Sequence, residues 1–220
     1  MITIHHLENS RSQRVLWLLE ELGAAYEVRR YERDPQTMLA PEALRRIHPL
    51  GKSPVLEEGS VIVAETGAIF EYVLDTHGPG GLRPEPGTPD ARALTYWLHY
   101  AEGSAMPPLV MKLVFQRLPE NAPKLARPFA QAVSKRAVQG FVDPQLKTHM
   151  DFWEAELAGS GWFVGGGFSA ADIMMSFPLE AAASRNDLSA YPNIRGFLER
   201  IHARPAYQAA LERGGPYAYA

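Results

Sequence analysis

The residues best suited to chemistry begin in residues 9–23, NSRSQRVLWLLEELG, where an asparagine, two serines and an arginine precede an apolar helical run. Ser10 stands just before that run, where its hydroxyl can be aimed at a reacting atom. The same residue also reads as pure structure. Ser10 and Gln13 form an S-x-x-Q capping box, Val15, Leu18, Leu19 and Leu22 follow at helical spacing, and Gly23 ends the helix in the left-handed conformation. The two roles are compatible, because one hydroxyl accepts from a backbone N–H while donating its own proton elsewhere.

Glu65, Thr66 and Gly67 open a second helix, where Thr66 is either a cap or a hydroxyl and N–H pair facing a carboxylate. In HPLGKSPVL, residues 48–56, a proline heads an extended run, which marks an edge, a bulge or a cis bond, or simply a turn entering a strand. The GKS within it is no phosphate loop, since Arg46 stands where that loop needs its first glycine. The glycines at 165–167 lead into FSAAD, where Asp172 would repel a phosphate; Ser169 and Asp172 read instead as the capping box of a buried helix. No histidine pair stands at i, i+4, and His5 and His6 point to opposite faces of a strand, so no metal site is expected.

The elements that must position these groups follow from periodicity. Residues 2–6 and 26–31 are predicted strands flanking the first helix. Residues 41–47 form a short helix, residues 54–56 and 61–63 a hairpin about the turn EEGS, and residues 65–77 a helix with Phe70, Val73, Leu74 and His77 on one face. This is βαβ followed by ββα. Eight of the twelve residues in GPGGLRPEPGTP, 78–89, are glycine or proline, which marks a linker, and Thr88 with Pro89 starts the next helix. Everything after Asp90 reads as helix: a stripe of Leu94, Trp97, Leu98 and Ala101, then helices over 131–157, 170–185 and 191–213. Pro107 and Pro108 should break or bend the first of them.

A chain of 220 residues with a net charge of −3 has no electrostatic footprint for nucleic acid or an anionic membrane. The first ten residues lack a secretory pattern, and no apolar stretch approaches the roughly 20 residues of a membrane span, so a cytoplasmic location is expected. With no cysteine, any thiol chemistry requires a ligand that brings the sulfur.

In this order, SRSQRVLWLLEEL, HPLGKSPVL, AETGAI and FSAADI, with the tail YPNIRGFLERIHARPAYQAALERG, resemble the cytosolic glutathione transferase family over nearly the whole chain. The likeness is greatest to its serine-type bacterial and fungal members. The resemblance implies an α/β plus all-α protein: a thioredoxin-like domain over residues 1–78, a linker over 79–89 and an all-helical domain over 90–220. Glutathione is the implied co-substrate, with no metal. Ser10 would donate to its sulfur with Arg11 assisting, while Ser12 and Asn9 remain alternatives. Lys52 would meet the glycine carboxylate, the backbone of Ser53 before a cis-Pro54 the cysteinyl part, and Glu65 and Thr66 the γ-glutamyl end. Thr66 replaces the family's commoner serine and keeps the hydroxyl.

For the hydrophobic electrophile, Tyr100, Ser104, Met106, Met111 and Phe115 are the expected wall. The resemblance also implies a homodimer in which Glu102 reaches the partner's glutathione. The expected reaction is attack of the thiolate on electrophiles by aromatic substitution, conjugate addition or peroxide reduction, in detoxification. The competing readings are a non-catalytic binding, stress or assembly module, and a dedicated reaction such as ring isomerisation, dehalogenation or ether cleavage.

Overall fold

The strand of residues 2–7 is apolar and β-branched enough to be buried on both faces, and it becomes the centre of a sheet. The computed structural model describes residues 1–37 and 39–219. Its first part runs β1 (Ile2–Leu7), α1 (Ser12–Glu21), β2 (Tyr26–Tyr31), α2 (Glu42–Ile47), β3 (Val55–Glu58), β4 (Val61–Ala64) and α3 (Thr66–Thr76). The sheet order is β2-β1-β3-β4. β1 and β2 are parallel, a pairing that needs a crossover, and α1 supplies it. The other two pairings are antiparallel, with Ile4 opposite Leu56 and Leu56 opposite Val63.

The second part is helical: α4 (Pro89–Tyr100), α5 (Met106–Asn121), α6 (Arg127–Ala137), α7 (Asp143–Leu157), α8 (Ala170–Ala183), α9 (Pro192–His202) and α10 (Pro205–Gly214). Thr88 caps α4 by accepting from the Ala91 N–H at 3.1 Å, with Pro89 at the first helical position. The bend expected at Pro107 and Pro108 is a π-helical turn, Ala101–Ala105, joining α4 to α5. Prolines have no N–H to give the carbonyls four residues back, so the chain widens there and the Met106 N–H bonds five residues back, to Ala101. Pro144 does the same to the helix expected over 131–157: a second π turn, Val138–Val142, divides α6 from α7. The helix expected over 191–213 is likewise two, because Pro205 starts α10.

α1 is not the amphipathic surface helix its stripe suggests. α10 and α8 pack on the side away from the sheet, so every residue of 12–19 is buried. Trp17 meets Tyr207 edge-on at 5.1 Å, and a Cβ on Gly214 would collide with the Gln13 side chain. This crowding removes the capping box expected of Ser10 and Gln13. The helix starts at Ser12 after Arg11, and the Gln13 amide lies buried without a hydrogen-bond partner. The second capping box does form: Asp172 accepts from the Ser169 N–H at 2.8 Å and also from the Phe163 N–H at 2.9 Å. Burial pushes the Asp172 carboxyl up to about 6 against those donors.

Candidate active site

The loops after β1 and before β3, the start of α3, and the helices α5 and α8 surround a cleft of about 560 Å³, ample for a tripeptide with a small second reactant. Its sheet side is polar and its helix side is apolar.

Ser10 stands at the junction of the two, nearly buried, immediately before α1. Its Oγ lies 2.7 Å from Ser12 Oγ and accepts from the Ser12 N–H at 3.3 Å. Ser12 Oγ in turn lies 2.8 Å from Nδ1 of the buried His6. Burial, reinforced by the Arg30 charge, pushes His6 down to about 4, so the ring is neutral at pH 7. A chain of three side chains thus runs from the cleft into the core and holds the Ser10 hydroxyl from behind. Asn9 reaches a positive φ of 47°, which asparagine tolerates, and its Oδ1 accepts from the Ala218 N–H at 2.8 Å, tying the carboxy-terminal segment across the cleft.

On the sheet side, the Ser53–Pro54 peptide is cis. The Ser53 hydroxyl donates to the His5 carbonyl at 2.9 Å and accepts from the Leu7 N–H at 3.0 Å, so this loop is fastened to β1. Lys52, Arg45 and His48 line the same end of the cleft. At the other end Glu65 adopts φ 72° and ψ 126°, a sparsely populated conformation that costs a residue with a Cβ about 1–3 kcal/mol, and Thr66 begins α3 beside it. Such strain concentrates at ligand-binding positions.

Beneath these groups lies a charged cluster within the one chain. Arg14, 1% exposed, donates to the Met174 carbonyl at 2.6 Å, approaches Thr66 Oγ1 at 3.5 Å and pairs with Glu102. Arg11 pairs with the other Glu102 oxygen at 2.9 Å. Burial opposes the charge on Glu102, but Arg14 and Arg11 outweigh it and hold the carboxyl below its usual range. Both Glu102 oxygens are therefore engaged inside this chain, and Arg11, although it lines the cleft, faces a carboxylate.

Of the five residues expected to form the electrophile wall, only Met106 lines the cleft. Tyr100 points into the helical core, 2.5 Å from His149 Nδ1 and 3.0 Å from Trp153 Nε1; Ser104 is exposed; Met111 and Phe115 pack on the core away from the opening. The wall that forms is Met106, Leu109, Val110 and Leu113 of α5, opposite Phe177 of α8. The i, i+3, i+4, i+7 spacing of the α5 residues was readable and identifies one helix face. Arg185, just past α8, and Tyr219 of the tail also line this side, and nothing local in the sequence marks them. Among the described residues no group of three or more His, Asp or Glu side chains is arranged to hold a metal, and no helix is long and apolar enough to cross a membrane.

Residues 1–75 match the family model of the glutathione S-transferase N-terminal domain, and residues 131–200 that of its C-terminal domain. The chain is 35% identical to glutathione S-transferase 1 of Saccharomyces cerevisiae, covering 97% of this chain and 95% of the relative. It is 33% identical to glutathione S-transferase 3 of Schizosaccharomyces pombe, over 97% of this chain and 88% of the relative. Among solved structures, a glutathione S-transferase from Actinobacillus pleuropneumoniae superposes with a TM-score of 0.83 at 33% identity, over 100% of this chain and 95% of that one. A sphingomonad glutathione S-transferase complexed with glutathione gives 0.75 at 26% identity, over 97% and 98%. A sheet-and-helix domain with a cis-proline loop, a helical region closing the cleft, and relatives similar from end to end leave one assignment: the chain belongs to the glutathione S-transferase family, an enzyme with glutathione as its co-substrate.

Proposed function

We propose that this enzyme is a serine-type glutathione transferase in which Ser10 stabilises the glutathione thiolate for attack on hydrophobic electrophiles. The observation that carries this reading is the place of Ser10: a hydroxyl at the start of α1, between a polar cradle and an apolar wall. Lys52 takes the glycine carboxylate, the backbone of Ser53 pairs with the cysteinyl residue, Thr66 takes the α-carboxylate and Glu65 the ammonium. Ser12 Oγ lies 2.7 Å behind the Ser10 hydroxyl, and on binding the Ser10 O–H turns from it to the glutathione sulfur. Lowering a thiol from about 8.5 to below 7 requires roughly 2–3 kcal/mol. A hydrogen bond to a charged group contributes about 1.5–3 kcal/mol, and the helix terminus about 0.3–1 kcal/mol more. Those two terms suffice, and Arg11, already paired with Glu102, is a minor contributor.

The protein acts in the cytoplasm, as a homodimer whose chains each divide into residues 1–78, 79–89 and 90–220. The test is an ultraviolet difference titration with glutathione from pH 5 to 9 on wild type and Ser10→Ala. A saturable thiolate band with an apparent pKa below about 7, lost in the variant, is expected. Binding of glutathione only as the neutral thiol would return Ser10 to a structural role and favour a binding module.

A further inference from the structure

The α8 side of the cleft carries a charge that glutathione activation does not use. Phe177, Ala181 and Arg185 succeed one another at four-residue intervals along and just beyond α8, and all three line the cleft. The Arg185 guanidinium is half-buried. One of its nitrogens donates to the Ala181 carbonyl at 2.9 Å and another to the Tyr219 hydroxyl at 3.2 Å, and its plane lies 5.6 Å from the Tyr219 ring centre. Tyr219 is held in turn edge-on against Phe177 at 5.3 Å, and its segment is anchored by Tyr217 on Glu180 at 2.6 Å and by Ala218 on Asn9 at 2.8 Å. Among the described residues no carboxylate pairs with Arg185. A guanidinium has five N–H donors, so this one keeps donors to spare after two protein bonds. A fixed, partly desolvated cation beside an apolar wall recognises a particular kind of reactant: an apolar body that carries an anionic group apart from the reacting carbon.

We propose that Arg185, positioned by Tyr219, makes the enzyme selective for electrophiles that carry a carboxylate or similar anion distal to the site of attack. This rests on the transferase reading above and adds to it the substrate class. In the test reaction the glutathione sulfur displaces chloride from an activated aryl ring: a C–S bond forms, the C–Cl bond breaks, chloride departs with its electron pair and the thiol proton goes to solvent.

The experiment compares a para-carboxylated chlorodinitrobenzene, a chlorodinitrobenzoate, with the neutral chlorodinitrobenzamide of the same shape. For each, kcat/KM is divided by the uncatalysed rate constant with glutathione at the same pH, which removes the difference in ring reactivity. Wild type should favour the benzoate by about tenfold or more. Arg185→Met should abolish that preference, bringing the normalised benzoate and amide rates to parity. Arg185→Lys, which keeps the charge but not the planar fork, should retain part of it, and raising ionic strength should erode the wild-type preference. Equal normalised rates for the two substrates in wild type overturn the proposal, as does a benzoate preference that survives in Arg185→Met, which would assign it to another cation such as Lys52. If neither substrate is turned over at all, the transferase reading itself fails, and that outcome is distinct from a lost preference.

Discussion

Among the described residues Glu102 is the one carboxylate that pairs with Arg14, so removing it should be felt in both stability and binding. Arg14 is 1% exposed and the Glu102 side chain 25% exposed. Deleting one member of a buried pair costs about 3–5 kcal/mol, because the remaining charge stays desolvated and unpaired. The partial exposure of Glu102 puts this case near the lower end, about 3 kcal/mol. For a chain of this size each kcal/mol moves Tm by about 2–4 °C, so Glu102→Ala should melt roughly 6–12 °C below wild type.

Glu102→Gln keeps an acceptor for Arg14 and should lose less. Ser104→Ala, an exposed change in the same π turn, should lose nothing. The pH dependence carries a sign. The carboxyl of the folded protein is held below its ordinary value of 4.5, so its contribution is complete above that value and disappears as pH falls through the lower, folded one. Wild type should therefore lose this increment on acidification below about pH 4.5, and the alanine variant, lacking it, should show a shallower acid limb. Calorimetry from pH 3.5 to 7 measures both. A Glu102→Ala protein melting within about 2 °C of wild type, with the same acid limb, would refute the claim that this pair sustains Arg14.

Three further outcomes are expected. Thr66→Ala should weaken glutathione binding by about tenfold in titration calorimetry, and an unchanged Kd would remove Thr66 from the site. Gln13→Met replaces a buried amide without partners by an apolar chain of equal length, which should relieve about 1–3 kcal/mol and raise Tm; a fall in Tm would show that the amide is satisfied in solution. Leu113→Ala should raise KM for a bulky aryl electrophile while leaving the glutathione Kd unaltered, and the converse pattern would contradict the division of the cleft into polar and apolar sides.

The sheet and its helices were legible because short-range periodicity decides them: β2 matches its expected bounds, and the hairpin of β3 and β4 forms, although Glu57 and Glu58 join β3 and leave only Gly59 and Ser60 as the turn. The polar half of the cleft was legible for a different reason. Lys52, Ser53, Pro54, Glu65 and Thr66 lie in two short contiguous motifs, before β3 and after β4, which the hairpin brings to one end of the sheet. What escaped was set by distant contacts. The Ser10–Gln13 capping box is sound locally and fails because Gly214, two hundred residues away, brings α10 down on Gln13. Pro107 and Pro108 announced a bend, but that it is a π turn depends on how the carbonyls deprived of donors are met in the folded chain. The electrophile wall was misread for choosing residues by type instead of by face. Met106 shares its face with Leu109, Val110 and Leu113, whereas Tyr100, Met111 and Phe115 lie on others. Arg185 and Tyr219 meet only because the tail folds back over α8.

The burial of α1 from both sides has a consequence for cooperativity. Chain composition marks residues 78–89 as a natural place to cut, yet α1 packs more extensively on α10 than on any other helix, and Arg14 donates to the carbonyl of Met174 across that cut. A fragment ending at the linker would expose Leu16 and Trp17 to water and strand Arg14 without the Met174 carbonyl and Glu102. The buried side chains of β1, α1, α8 and α10 belong to one continuous cluster, so the core does not divide at the linker. Denaturation should accordingly proceed in a single transition, with tryptophan fluorescence and far-ultraviolet circular dichroism superimposing, and the glutathione cradle should be lost at the same denaturant concentration as the helices that never touch it.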